Sequence, residues 1–175
     1  MCRQLNFFMF FILCLIGFNS CVSSKVLLKK PIERSLPSDE NTSYKLTITP
    51  NASLLVRTDN FNSNDIILQQ GQNLILKFEY QTESPKNVAD ANYREVLYIE
   101  MPNQAQEIDL ARLNKTSIWF ARFCFCKDYV GFFKVTPEKF ELRLSKNQLH
   151  IKSEFEWHKL PRIVNKINQN INLKP

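Results

Sequence analysis

"KFELRLSKNQLHIKSEFEW", Lys139–Trp157, decides the fold. Apolar and polar residues alternate along it with period two, the period of a strand whose successive side chains point to opposite faces. Phe140, Leu142 and Leu144 share the inward face of the first run; Leu149, Ile151, Phe155 and Trp157 share that of the second. Glu141, Arg143, Lys152, Glu154 and Glu156 mark the wet side. Lys146-Asn147 between the runs predicts their hairpin.

The same period extends upstream. "YKLTIT" from Tyr44 sets Tyr44, Leu46 and Ile48 against Lys45, Thr47 and Thr49, until Pro50-Asn51 breaks the run. "SLLVRT", 53–58, reads as a second strand. "DIILQQ", 65–70, and "NLILKFEYQ", 73–81, flank Gly71-Gln72, which predicts another hairpin. In the later run Leu74, Leu76, Phe78 and Tyr80 share a face. A polar loop, 83–92, leads into "YREVLYIEM", 93–101, with Leu97 and Ile99 inward and Pro102 ending the strand. Residues 103–114 fit a short strand or a helical turn.

"TSIWFARFCFC", 116–126, is apolar on both faces, with Ile118, Phe120, Cys124 and Cys126 on one side and Trp119, Ala121, Phe123 and Phe125 on the other. That pattern belongs to a strand buried on both sides. Arg122 interrupts it and requires a carboxylate or an exit to water. A turn at Lys127-Asp128 precedes "YVGFFKV", 129–135. In the tail, Pro161 opens a predicted short helix with Ile163, Val164, Ile167 and Ile171 on one stripe, while the alternation of Ile167, Ile171 and Leu173 permits a strand instead. About eight or nine short strands with frequent turns predict a mainly β fold, a single antiparallel sandwich or barrel-like domain over residues 44–175.

The beginning of the chain has a different character. Arg3 precedes "LNFFMFFILCLIGF", Leu5–Phe18, and polar sequence follows Cys21. This is the anatomy of a signal peptide, residues 1–20. As a helix the apolar run rises about 21 Å, short of the roughly 30 Å of a bilayer core, which disfavours a permanent span. Phe18 is too large for the third-last position of an ordinary cut after Ser20, and a cut after Ser24 is the competitor. The stretch "FNSC", Phe18–Cys21, resembles the lipobox of bacterial lipoproteins, with a large apolar residue three before the cysteine and a small one just before it. Asn19 departs from the usual small residue. The resemblance covers only this stretch and no domain family is recognised in residues 44–175. It implies a chain cut before Cys21, acylated there (palmitate among the acyl groups) and held on a membrane of the cell envelope; plain secretion is the alternative. Several acyl chains give a stable anchor where one gives only a marginal one. Residues 21–43 then read as the lipidated cysteine and a flexible tether, in which Lys25, Lys29 and Lys30 are solvated or touch anionic lipid heads.

Composition excludes several functions. The net charge of +6 is spread along the chain rather than clustered with aromatics, so no nucleic-acid partner is expected. Only Gly71 and Gly131 lie beyond Gly17, too few for a phosphate-cradling loop. Neither a serine in a nucleophile elbow nor a paired-histidine zinc helix occurs, and no cofactor is expected. Glu95, Glu100, Asp109 and Asp128 read as surface carboxylates. Three sequons, at Asn41, Asn51 and Asn114, are about what this Asn- and Ser/Thr-rich composition yields by chance. Tyr93, Tyr98, Tyr129, Phe132 and Phe133 suit core packing or contact with sugar or peptide.

"CFC", Cys124–Cys126, is the feature that invites chemistry. Two thiols on one face of a buried strand read first as small core hydrophobes. On an extended strand their Cα atoms lie about 6.5–7 Å apart, so a disulfide needs the strand to buckle. A metal site would draw on Cys124 and Cys126, with His150 and His158 the remaining soft donors. The sequence thus predicts an envelope lipoprotein that binds or assembles with an unknown protein or glycan, with thiol-dependent metal or redox chemistry as the alternative. It shows no catalytic residues.

Overall fold

The computed structural model describes residues 27–82, 92–104, 106–109, 111, 116–127, 129–155, 164 and 166–173. Ten strands make up these residues' regular structure: β1 (Ile32–Leu36), β2 (Thr42–Thr58), β3 (Asn64–Thr82), β4 (Arg94–Pro102), β5 (Gln106–Asp109), β6 (Ser117–Phe123), β7 (Gly131–Lys134), β8 (Lys139–Leu144), β9 (Gln148–Glu154) and β10 (Lys166–Asn172). Six form one sheet in the order β1-β2-β3-β4-β6-β7, and four form a second in the order β10-β9-β8-β5. All neighbours are antiparallel. The arrangement is sandwich-like, with open sheet edges, rather than a closed barrel.

The alternating run 139–157 folds as its period dictates. β8 and β9 pair from Lys139↔Glu154 to Leu144↔Leu149. Phe140, Leu142, Leu144, Leu149, Ile151 and Phe155 are buried, and pack with Leu46, Leu76, Phe78, Leu97, Ile99 and Phe120 of the larger sheet. On the wet face Arg143 meets Glu141 at 2.7 Å and Glu107 at 2.8 Å. Pairs this exposed contribute little stability. Trp157 and Glu156 lie outside the described residues.

Three expectations are corrected. Gly71-Gln72 does not turn the chain. β3 runs through it, and its partner β2 runs through Pro50-Asn51, with a register shift where Ala52 faces both Gln70 and Asn73. Glycine inside a strand marks a bulge or a close backbone approach as readily as a turn. Here a Cβ on Gly71 would come within 2.7 Å of the Ser53 Cβ and 2.8 Å of the Ala52 carbonyl carbon. The hairpin turn lies instead at Asp59–Ser63, where the Asp59 carboxylate accepts the backbone N–H groups of Phe61 and Ser63, each at 2.8 Å. Second, residues 166–172 are the strand β10, not a helix, because Ile167 and Ile171 face the core across β9. Third, residues 27–43, expected as part of a flexible tether, belong to the folded domain. β1 pairs with β2, and Leu28 is buried with its backbone N–H and C=O bonded to the Asn103 side chain. Of the ambiguous residues 103–114, 106–109 resolve as strand.

The bulge in β2–β3 has a large effect. Beyond it the hairpin bends into an arm, residues 53–58 and 64–70, that crosses the outer face of its own sheet. Leu54, Val56 and Ile66 pack on Ile75, Val96, Tyr98, Trp119 and Ala121. At the tip, the Asn64 amide donates to the Phe132 carbonyl of β7 at 3.4 Å, and near the elbow Glu100 accepts from Asn73 at 2.8 Å. This arm buries the second face of β4 and β6. It is why Ile118 to Arg122 are buried without alternation.

Candidate functional site

Register brings one row of polar groups together inside the sandwich. Tyr44 of β2 faces Tyr80 of β3, Tyr80 faces Glu95 of β4, and Glu95 faces Arg122 of β6. Glu95 is 0 % exposed and Arg122 is 6 % exposed. Glu95 is therefore not a surface carboxylate, as expected from its residue type, but the carboxylate facing Arg122 in the interior. A signal for it was present, since Glu95 lies two residues before the inward Leu97.

The Glu95 carboxylate accepts the Tyr93 hydroxyl on one oxygen and the backbone N–H of Val164 at 2.7 Å on the other. Arg122 Nε donates to the Tyr129 carbonyl at 3.1 Å. This network ties the chain entering β10 and the β6–β7 loop to the larger sheet. Burial, with the negative charge of Glu95 adding to it, pushes the Tyr44 phenol up to about 12. Burial and the Glu95 hydrogen bond likewise hold the Tyr93 phenol protonated well above its ordinary range. Both phenols therefore stay neutral, and that of Tyr93 donates to Glu95. The Tyr44 Oη is buried and has no partner among the described residues.

At this same end β6 stops at Phe123 and the chain bends through Cys124 and Phe125. Cys124 and Cys126 are joined by a disulfide, with their Cα atoms 5.2 Å apart. The expectation of core thiols is overturned, because the cysteines lie past the end of the buried strand. Once the backbone leaves the extended conformation, the Cα separation falls into the range a disulfide spans. Phe125 between them is 91 % exposed, and Tyr129 and Val130 further along the loop are also exposed. As bonded sulfurs, Cys124 and Cys126 offer no thiolate to a metal. No group of three or more candidate metal ligands occurs among the described residues. His150 sits on the wet face of the smaller sheet, in the interior strand β9, against Asn170 at 2.6 Å, and His158 lies outside the described residues, as does Asp128.

Beside Phe125 a groove of about 450 Å³ is lined by Gln81, Asn92, Arg94, Phe123 and Cys124. The Arg94 guanidinium lies 4.3 Å from the centre of the Phe123 ring and 3.5 Å from Glu79. The cation–π contact and the Glu79 carboxylate together hold that side chain at the groove. Of the other aromatics, Tyr98 is buried and Phe132 and Phe133 are half-buried, so packing accounts for them.

Leu27 marks the opposite end. Its N–H donates to the Asn103 carbonyl at 3.2 Å, just past the end of β4. From Glu95 to Asn103 the strand covers about 26 Å. The Phe125 loop and the end where the chain arrives from Cys21 are therefore at opposite poles. Cys21 itself and the leader lie outside the described residues. No family model, curated protein or solved structure matches the chain.

Proposed function

We propose that this protein is a lipoprotein of the cell envelope, anchored through acylated Cys21, whose sandwich serves as a binding or assembly component. The observation that carries the binding role is Phe125, an exposed aromatic held between two bonded cysteines beside the Arg94–Phe123 groove. A backbone restrained in this way loses less conformational freedom on meeting a partner, and preorganisation of that kind adds affinity without adding area. Aromatic and arginine side chains are also the residues that most often dominate binding energy. The partner is an envelope protein or a glycan. The anchor follows from "FNSC" at Cys21. Five residues lie between Cys21 and Leu27, so six steps of extended chain span at most about 21 Å, and an anchored domain rides close to the bilayer with Phe125 facing away from it.

Two measurements test this. Mass spectrometry of the membrane-extracted protein is expected to find acylated Cys21 and no residues 1–20. An unmodified N-terminus at Lys25 would replace anchoring with secretion. A photo-reactive amino acid at position 125, irradiated in intact envelopes, is expected to give one dominant adduct that the same probe at Lys146 does not give. Equal labelling from both positions removes the binding role from this loop.

One observation favours a second reading. Cys126 is exposed, so an external thiol can reach the disulfide. Redox chemistry at Cys124 and Cys126 then predicts reversible reduction under conditions that leave the fold intact. Metal binding would follow only after that reduction, and elemental analysis of the reduced protein tests it.

A further inference from the structure

The four edge strands of the two sheets are not equally protected. β1 is five residues long and is flanked by Pro31 and Pro37. β5 and β7 are four residues each. β10 has seven residues, Lys166–Asn172, and contains neither proline nor glycine, and its register with β9 runs unbroken from Lys166↔Glu154 to Asn172↔Gln148. It is the last strand of its sheet. Among the described residues no strand pairs with its outer side, which leaves a template on which a further strand pairs. Natural edges are usually blunted by prolines, bulges or several charges, and β10 carries only Lys166.

The sequence of the edge says what it fits. "KINQNIN" reads almost the same in both directions about Gln169. Two copies laid antiparallel across a twofold axis at that residue set Ile167 opposite Ile171 of the other copy. Asn168 then meets Asn170, and Gln169 meets itself. Every position finds its like in polarity, and no like charges face each other. The isoleucines, buried on the core face, would continue the apolar layer across the seam, while the exposed asparagines would form an amide ladder on the wet face. An arbitrary extended peptide has no reason to match on both faces at once. We infer that β10 is a self-recognition edge, through which two copies of this chain pair antiparallel about Gln169 and join their four-stranded sheets into one of eight. The contact would be isologous, closing after two copies rather than growing into a fibre. It is independent of Cys21 and of Phe125, so its failure leaves the proposed function standing, and the reverse also holds.

The test is sedimentation equilibrium of the full-length protein in density-matched detergent. The wild type is expected to be a dimer at micromolar concentrations. Asn168→Lys with Asn170→Lys sets lysines opposite lysines at two places across the seam, and is expected to weaken dimerisation about tenfold or more. Asn168→Glu with Asn170→Glu should do the same. Mixing the two variants should restore a dimer, now of unlike chains, because each lysine faces a glutamate. Both positions are exposed, and an unchanged melting curve for each variant alone confirms that the fold is kept. A monomeric wild type overturns the proposal. So does a dimer that tolerates the lysines, or a mixture that stays monomeric.

Discussion

Glu95 and Arg122 stand directly opposite each other on β4 and β6, and both lie inside the sandwich. Charges taken out of water need partners in place, and removing one of two facing buried charges leaves the other less compensated, at a cost of about 3–5 kcal/mol where the two form a pair. Glu95→Leu is therefore expected to destabilise the domain by about that amount in urea unfolding. Replacing both, Glu95→Leu with Arg122→Met, should recover a large part of the loss. If the double variant is as unstable as the sum of the two singles, the pair is not energetically coupled.

Tyr44 sets the alkaline limit of the fold. Its folded pKa of about 12 lies above the ordinary value of 10, because burial and Glu95 disfavour the phenolate, so relative to its ionised form the neutral phenol favours the native state. That contribution is complete below pH 10 and is lost as the pH rises through about 12; two pKa units correspond to roughly 2–3 kcal/mol. Tyr93, raised by burial and by its bond to Glu95, acts in the same direction. The expected outcome is a loss of stability confined to pH above 10, smaller in Tyr44→Phe. At neutral pH that variant should be equally stable, or more stable by about 1 kcal/mol, because it removes a buried hydroxyl without a partner. Absorbance titration of phenolate alongside thermal melts checks both statements.

Gly71→Ala tests the bulge. The added Cβ would meet Ser53 and the Ala52 backbone, neither of them the tip of a flexible side chain. A loss of about 1–3 kcal/mol is expected, as for overpacking elsewhere. Gly131→Ala meets no atom within 4 Å, but its φ of +104° strains any other residue. A cost on the order of 1–3 kcal/mol is expected there too, from conformation rather than from contact.

Cysteine removal separates stability from binding. A disulfide closing so short a loop restricts the unfolded chain little, so Cys124→Ser with Cys126→Ser should cost about 1.5 kcal/mol. Adducts from a photo-probe at position 125 should fall more steeply than stability does. If capture is unchanged, the disulfide does not preorganise Phe125.

Much of the fold was legible because alternation is a local signal. Lys139–Trp157, Tyr44–Thr49 and Leu74–Tyr80 each show their inward face in their own residues. What was not legible depends on distant partners. Gly71 signals a turn and a bulge alike, and only the continuation of β2 past Pro50 distinguishes them. Ile167, Ile171 and Leu173 fit either period until β9 supplies a ladder. For the site, Arg122 announced its need for a carboxylate and Glu95 shared the inward face of Leu97, yet only register joins the two across twenty-seven residues of chain. Cys124 and Cys126 continue the apolar run of β6, so the end of the strand at Phe123 leaves no mark in the composition.

The elbow at Pro50–Ala52 gives the two longest strands of the sheet two different lives. Below it, Leu74–Tyr80 is bonded on both sides, to β2 and to β4. Above it, residues 53–58 and 64–70 form their ladder with each other, and reach the rest of the molecule mainly through side chains. Such an arm can lift away without breaking the sandwich beneath it. Amide hydrogens in the arm should thus exchange as a separate unit, well before those of β4, at a free energy below that of global unfolding. Each such opening would bare Trp119, leaving a fluorophore in the floor of the closed arm to record how often the door stands ajar.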